Sequence, residues 1–425
     1  MAVYIPARLR LDNAANIYPA SLSKHYSSLY RMTVSLVDPI DTSILQEALE
    51  KVSERIPTFR CTIKAGAFWW YLDRCDATPY VLPLKPLRNF NKREQDGLLY
   101  RVSAQGCRIF LDVFHALADG NGGMVFLMTL SGEYIRIRYG VAIRYNALAL
   151  DPSQTPVYAE VEDSFKAVFH GRHGRLEKND SAYHIKGMPL PFGAVKDLRV
   201  VMSAEKVKDV CRDYSCSVTE LLTSCMLAAL QKEHRFDSSR RKRSTLKVSV
   251  PVNLRPIYGC RTVRNFSSYI NLGIDVSDGY MSFEQIVSAV KAQKAQSLEP
   301  DRLESKIAAN VELEEMLLVR LLPLIVKHPI IDIITLLHGD RFCSQTLSNM
   351  GRLDVPEKMR SYITDVDFIL GRQRGNSGAV SCVGYNDRIC VHLTRKIARD
   401  GFENAFLYQL ACLGIDADTS LSNLA

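Results

Sequence analysis

One short stretch gathers residues able to do chemistry. It reads VFHALADGNGG, from Val113 to Gly123. His115 and Asp119 lie four positions apart, and Gly120, Gly122 and Gly123 follow closely. A neutral imidazole, with an ordinary pKa near ~6.5, is suited to taking a proton at neutral pH. A lone histidine at the end of an apolar strand also serves as an ordinary core residue, so its neighbours carry the argument. The glycines permit positive φ and close approach of other groups. A turn between His115 and Asp119 lets the carboxylate return to its own backbone or reach a cation elsewhere. Two other chemistries fail here. A calcium loop would need a third ligand where Gly123 stands, a glycine at Met124 and a glutamate at Leu130. A phosphate cradle would need GxGxxG or the P-loop lysine, and neither is present.

The elements around this stretch follow from periodicity. Arg108 to Phe114 alternates around Ile109, Leu111 and Val113 and predicts a strand. Gly122 to Tyr139 returns to helical spacing, so His115 falls at a strand-to-helix turn. Residues 38–56 predict a helix capped by Asp41, and TFRCTIKAGAFWWYLD predicts a hairpin around Gly66. Residues 171–193 are rich in charge, glycine and proline and look like a linker. After it, helices are expected at 203–214, 217–233, 282–297 and 400–412. Strands are expected at 245–252, 363–370, 378–384 and 388–394. Strands and helices alternate in both halves, which argues for two α/β lobes. No internal repeat of fixed period is found.

Bulk properties narrow the partners. The chain has 425 residues and a net charge of +8, a mild excess that favours contact with anions. Its one dense basic run, Arg240 to Arg243, has no interleaved aromatic residue, so nucleic-acid binding is not expected. Eleven cysteines are scattered singly, with no CxxC and no Cys/His spacing typical of zinc, so no metal is expected. Scattered single thiols suit a reduced, cytoplasmic setting. The segment Met316 to Leu337 is broken by Arg320, Pro323, Lys327, His328, Pro329 and Asp332. It is expected to form a buried or interfacial helix pair rather than a membrane span.

HALADG matches the HxxxDG signature, and at this point the chain resembles the chloramphenicol-acetyltransferase-like superfamily. That group includes peptide-synthetase condensation domains, plant BAHD acyltransferases and alcohol acetyltransferases. Further matches follow in order: PVNLRP from Pro251 to Pro256, RNF from Arg264 to Phe266, and SNMGRLDVP from Ser348 to Pro356. AEVEDSF and AYHIKG, ending at Phe165 and Gly187, look like the alcohol acetyltransferase branch. The plant branch carries DFGWG near its C-terminus, where this chain has DFILG from Asp367 to Gly371. Phe114 stands where the double-histidine form of the signature has its first histidine, so the condensation branch fits less well.

The resemblance implies an α/β fold of two lobes, forming a V-shaped pseudo-dimer with a tunnel between them. The N-terminal lobe would span 1–175, the linker 176–194 and the C-terminal lobe 195–425. It implies acyl transfer from acyl-CoA, a co-substrate rather than a bound cofactor, to a small or lipid-like alcohol. His115 would be the general base, with Asp119 and Gly120 completing the signature. Asp119 would pair with Arg255 rather than relay charge to His115, and Asn265 would support the lobe interface. Asn349 would reach the reacting carbonyl, and Arg240, Arg241 and Arg243 would hold the CoA phosphates. Two alternatives stay open. One is an N-acylating or carrier-protein-dependent condensing enzyme, and the other a non-catalytic scaffold on the same fold.

Overall fold

The computed structural model describes residues 6–21, 28–87, 94–175, 180–191, 194–239, 242–327, 329–330, 340–373 and 375–424. Among them, three sheets are formed. Strands β1 (Arg8–Arg10), β3 (Cys61–Ala65) and β4 (Trp70–Arg74) make a small antiparallel sheet in the order β1-β4-β3. The expected hairpin around Gly66 is its β3–β4 pair. A four-stranded antiparallel sheet holds β11 (Ile363–Leu370), β2 (Leu29–Leu36), β6 (Arg108–Phe114) and β5 (Tyr100–Gln105), in that order.

The third sheet has seven strands, ordered β14-β7-β13-β12-β10-β8-β9. Their ranges are β7 (Lys196–Ser203), β8 (Thr245–Asn253), β9 (Ser267–Asp275), β10 (Gln345–Arg352), β12 (Gly378–Tyr385), β13 (Arg388–Arg395) and β14 (Ala417–Asn423). Only β10 runs parallel to its neighbours, β12 and β8.

Among the described residues, seven helices have ten or more residues: α1 (Thr42–Arg55), α2 (Gly120–Tyr139), α3 (Ala204–Asp213), α4 (Val218–Phe236), α5 (Phe283–Ser297), α6 (Pro300–Glu315) and α7 (Gly401–Cys412). Helix α1 starts where Asp41 accepts bonds from the amides of Ser43 and Ile44. Its Leu45, Ala48, Leu49 and Val52 lie one or two turns apart and bury against α2. Helix α2 in turn packs on β2 and β6. In the second lobe, Ser203, Ser217 and Ser282 cap α3, α4 and α5, and the last two form full capping boxes with Glu220 and Gln285.

Two large apolar cores result. One joins α1, α2 and the four-stranded sheet, and the other joins α3, α4, α5, α7 and the seven-stranded sheet. A smaller third core gathers Phe165, Phe169, Leu254, Phe266, Leu303 and Ile307. It fixes the segment that carries Arg255 and Asn265.

Three features differ from the sequence-based expectations. Strand β11 comes from residues assigned to the C-terminal lobe, yet it pairs along its length with β2 of the first sheet. Residues 180–191, within the expected linker, lie on the second lobe. Tyr183 donates its amide to the Thr245 carbonyl at 2.8 Å, and Ala182, Tyr183 and Ile185 are buried. The described part of the Met316 to Leu337 segment includes a short helix, Leu317–Leu321, whose Leu317 and Leu321 are exposed rather than buried. Residues 331–339 lie outside the described residues. No described helix is long and apolar enough to cross a membrane, and all eleven cysteines are free thiols.

Candidate active site

His115 stands one residue beyond β6, where the chain turns into α2. Its amide donates to the Ser28 carbonyl at 3.0 Å, which holds the turn against the start of β2. The ring is half-buried. Tyr18 stacks on it with centroids 4.3 Å apart, and Tyr30 meets it edge-on at 5.4 Å. Nδ1 lies 3.2 Å from Oδ1 of Asn265, on the second-lobe side of the junction. The Asn265 amide nitrogen donates to Oδ2 of Asp12 at 3.4 Å. This orients the carboxamide oxygen towards the ring, so Nδ1 carries the proton and Nε2 the lone pair. No described residue bonds Nε2. Burial lowers the His115 pKa below the usual imidazole value, although the Asp119 charge and the Asn265 bond oppose it. The ring is therefore neutral at pH 7.

Asp119 faces away from the ring and caps α2, accepting from the Gly122 amide at 3.0 Å. Arg255 donates to both of its oxygens, at 2.9 and 3.0 Å, and the Phe266 amide adds a bond at 3.0 Å. Burial pushes the Asp119 carboxyl up, but these partners more than offset it and hold it below its ordinary value. The Arg255 guanidinium also donates to the carbonyls of Thr262 and Arg264 and to Oδ1 of Asn253. Such a bidentate, fully bonded pair fixes orientation as well as charge.

The glycines serve close approach rather than positive φ; none of the three after Asp119 has φ in the left-handed region. A Cβ on Gly122 would lie 1.9 Å from the Val263 carbonyl oxygen, and one on Gly123 would lie 2.5 Å from the Tyr30 hydroxyl. Val263 belongs to the loop before β9, so Gly122 lets the second lobe's backbone touch the start of α2.

Sequence reasoning missed Asp12, Tyr18 and Tyr30. Asp12 is fully buried beside Arg264, whose guanidinium nitrogen lies 3.6 Å away. Burial pushes its carboxyl up to about 7, against the opposing charge of Arg264. Among the described residues, Asn349 makes its side-chain bonds away from His115. Its amide donates to the Thr219 hydroxyl at 3.0 Å and its oxygen accepts from the Gly351 amide at 2.8 Å. It thus holds the end of β10 to α4. Arg240 and Arg241 lie outside the described residues, and Arg243 is exposed.

No family model matches the sequence, and no curated protein does. Solved structures do match it. Polyketide synthase associated protein 5 from Mycobacterium tuberculosis aligns with a TM-score of 0.62 at 16% identity, over 96% of this chain and 99% of that one. F. graminearum TRI101, solved with coenzyme A and deoxynivalenol, aligns with a TM-score of 0.62 at 11% identity, over 97% and 99%. The first condensation domain of the CDA synthetase aligns with a TM-score of 0.59 at 15% identity, over 96% of each chain. Over nearly its whole length, the chain has the two-lobed α/β fold of the chloramphenicol-acetyltransferase-like acyltransferases and condensation domains.

Proposed function

We propose that the chain is an acyltransferase that moves an acyl group from acyl-CoA to an alcohol, with His115 as general base. One observation carries this reading. A neutral, half-buried imidazole is clamped through Nδ1 by Asn265, and among the described residues none bonds its Nε2 at the lobe junction. A thioester is already activated, so no covalent enzyme intermediate is needed. The incoming hydroxyl loses its proton to Nε2 as its oxygen attacks the acyl carbon. The carbon–sulfur bond then breaks, and the CoA thiolate takes the proton back from Nε2. Positioned base catalysis of this kind supplies ~10² to 10⁴ in rate. Asp119 and Arg255 act at one remove, by holding the turn beneath the ring.

The solved TRI101 complexes contain coenzyme A together with deoxynivalenol or T-2 mycotoxin, which fits free CoA as the donor here. The test is release of CoA thiol from acetyl-CoA and longer acyl-CoAs, read with a thiol reagent against a panel of alcohols and amines. Alcohol-dependent release that disappears in His115→Ala supports the reading. Release only with amines or with carrier-bound acyl groups replaces it with the condensing enzyme. No release from any donor leaves the scaffold.

A further inference from the structure

The seam between the lobes holds a second group of reactive side chains, at the other end of β6 from His115. Arg108, which starts β6, helps to line a cavity of about 460 Å³ whose walls include Arg199, Asp365, Asp367 and His392. Beside it, Asp367 of β11 meets Cys390 and His392 of β13. The two residues on β13 are two apart and so face the same side of the strand. All three are buried. Cys390 Sγ lies 3.2 Å from Asp367 Oδ1 and 3.5 Å from His392 Nε2, and Nε2 lies 3.0 Å from the same carboxylate oxygen.

These three distances describe a face of a coordination polyhedron. Zinc bonds to sulfur, imidazole nitrogen and carboxylate oxygen, set at tetrahedral angles, require donor separations of roughly 3.4 to 3.6 Å. The observed triangle needs to open by only a few tenths of an ångström. The outer contacts fit as well. His392 Nδ1 is 2.9 Å from Oδ2 of buried Asp197, the carboxylate support that metal-bound histidines ordinarily carry. Arg199 donates Nε to Asp367 at 2.7 Å and keeps that carboxylate in place.

We propose that Asp367, Cys390 and His392 form a binding site for a zinc-class divalent ion that ties the two lobes together. The donor set selects the metal class, because a thiolate with an imidazole suits zinc or cobalt(II) and not magnesium or calcium. The exchange balances. The ion displaces the Sγ proton of Cys390 and the Nε2 proton of His392, both of which point at Asp367 Oδ1, and two protons leave. His392 keeps its Nδ1 proton on Asp197. Water from the cavity fills the fourth position. Asp367 belongs to the four-stranded sheet and the other two ligands to the seven-stranded one, so the ion would cross-link the sheets.

The experiment uses the full chain, stripped with chelator and titrated with cobalt(II). The expected result is one tightly bound equivalent with a thiolate-to-cobalt charge-transfer band, displaced by zinc, and a higher unfolding temperature with zinc bound. Cys390→Ser abolishes the band and the thermal shift. Asp197→Asn keeps the band but weakens binding by about 10- to 100-fold. A folded wild-type chain without the band, or a band that survives Cys390→Ser, overturns the proposal. The cluster is then a proton-bridged ion pair only. Because the wild-type titration decides the question, a poorly folding variant does not shield the proposal.

Discussion

Arg255 grips both carboxylate oxygens of Asp119 from a turn of the second lobe, while Asp119 caps the helix that follows the His115 turn. The pair is nearly buried, so removing either partner strands a charge. Asp119→Ala and Arg255→Ala are each expected to cost ~3 to 5 kcal/mol of stability. The double variant should cost less than the sum of the two, because no charge is left unpaired. Thermal unfolding of the three variants measures this. Additive losses would mean that the residues do not depend on each other.

His115→Ala removes no buried ion pair and should leave the unfolding midpoint nearly unchanged while turnover falls by ~10² to 10⁴. Asn265→Ala frees the ring without removing it, and a loosened base costs up to about 100-fold in kcat. Because His115 is harder to protonate in the folded chain than in solution, the acid limb of kcat/KM should lie below the usual imidazole midpoint. Activity should be flat through neutrality. A limb centred above that midpoint would contradict the desolvated ring.

Asp12 gives a stability signature of its own. Its carboxyl rises from 3.8 to about 7 on folding, so between those values the folded chain holds the proton more tightly. The group's contribution to stability therefore declines as pH rises from about 4 to about 7 and levels off above. Asp12→Asn should remove that slope. Unfolding midpoints of both proteins across this range make the comparison, and identical slopes would show that Asp12 does not titrate there.

The glycines of the turn separate by what surrounds them. Gly122→Ala places a methyl group against the Val263 carbonyl and should cost ~1 to 3 kcal/mol or more, with loss of activity. Gly120→Ala meets the end of the Met350 side chain at 3.1 Å, which can move, and otherwise makes only ordinary contacts with Phe368 and Met32 at 3.6 and 3.8 Å. It should fold and retain most activity. Equal losses at both positions would refute close approach as the reason for the glycines.

The His115 turn was readable because its parts are local. Alternation in β6, the histidine at its end and the helical spacing of α2 all fall within about thirty residues. Some of the strands that went unread lack such a pattern. β2 is buried at all but one position and therefore shows little alternation. β10 is half-exposed at its C-terminal end, and β14 is an edge strand. Asp12 and Asn265 are 253 positions apart, and no local spacing announces such a pair. The same holds for Asp367 beside Cys390 and His392, where only the Cys-x-His step is adjacent in sequence. The polar network behind the ring is thus tertiary in origin, whereas the ring itself is announced by its neighbours.

The loan of β11 to the first sheet has a consequence for synthesis. While a ribosome is still making residues 363–370, β2 has no partner on one side, and its backbone amides and carbonyls form an open template. The amino-terminal half emerges long before the strand that closes it. A fragment ending at residue 175 should therefore clump when expressed alone and become soluble when the remainder of the chain is supplied in trans.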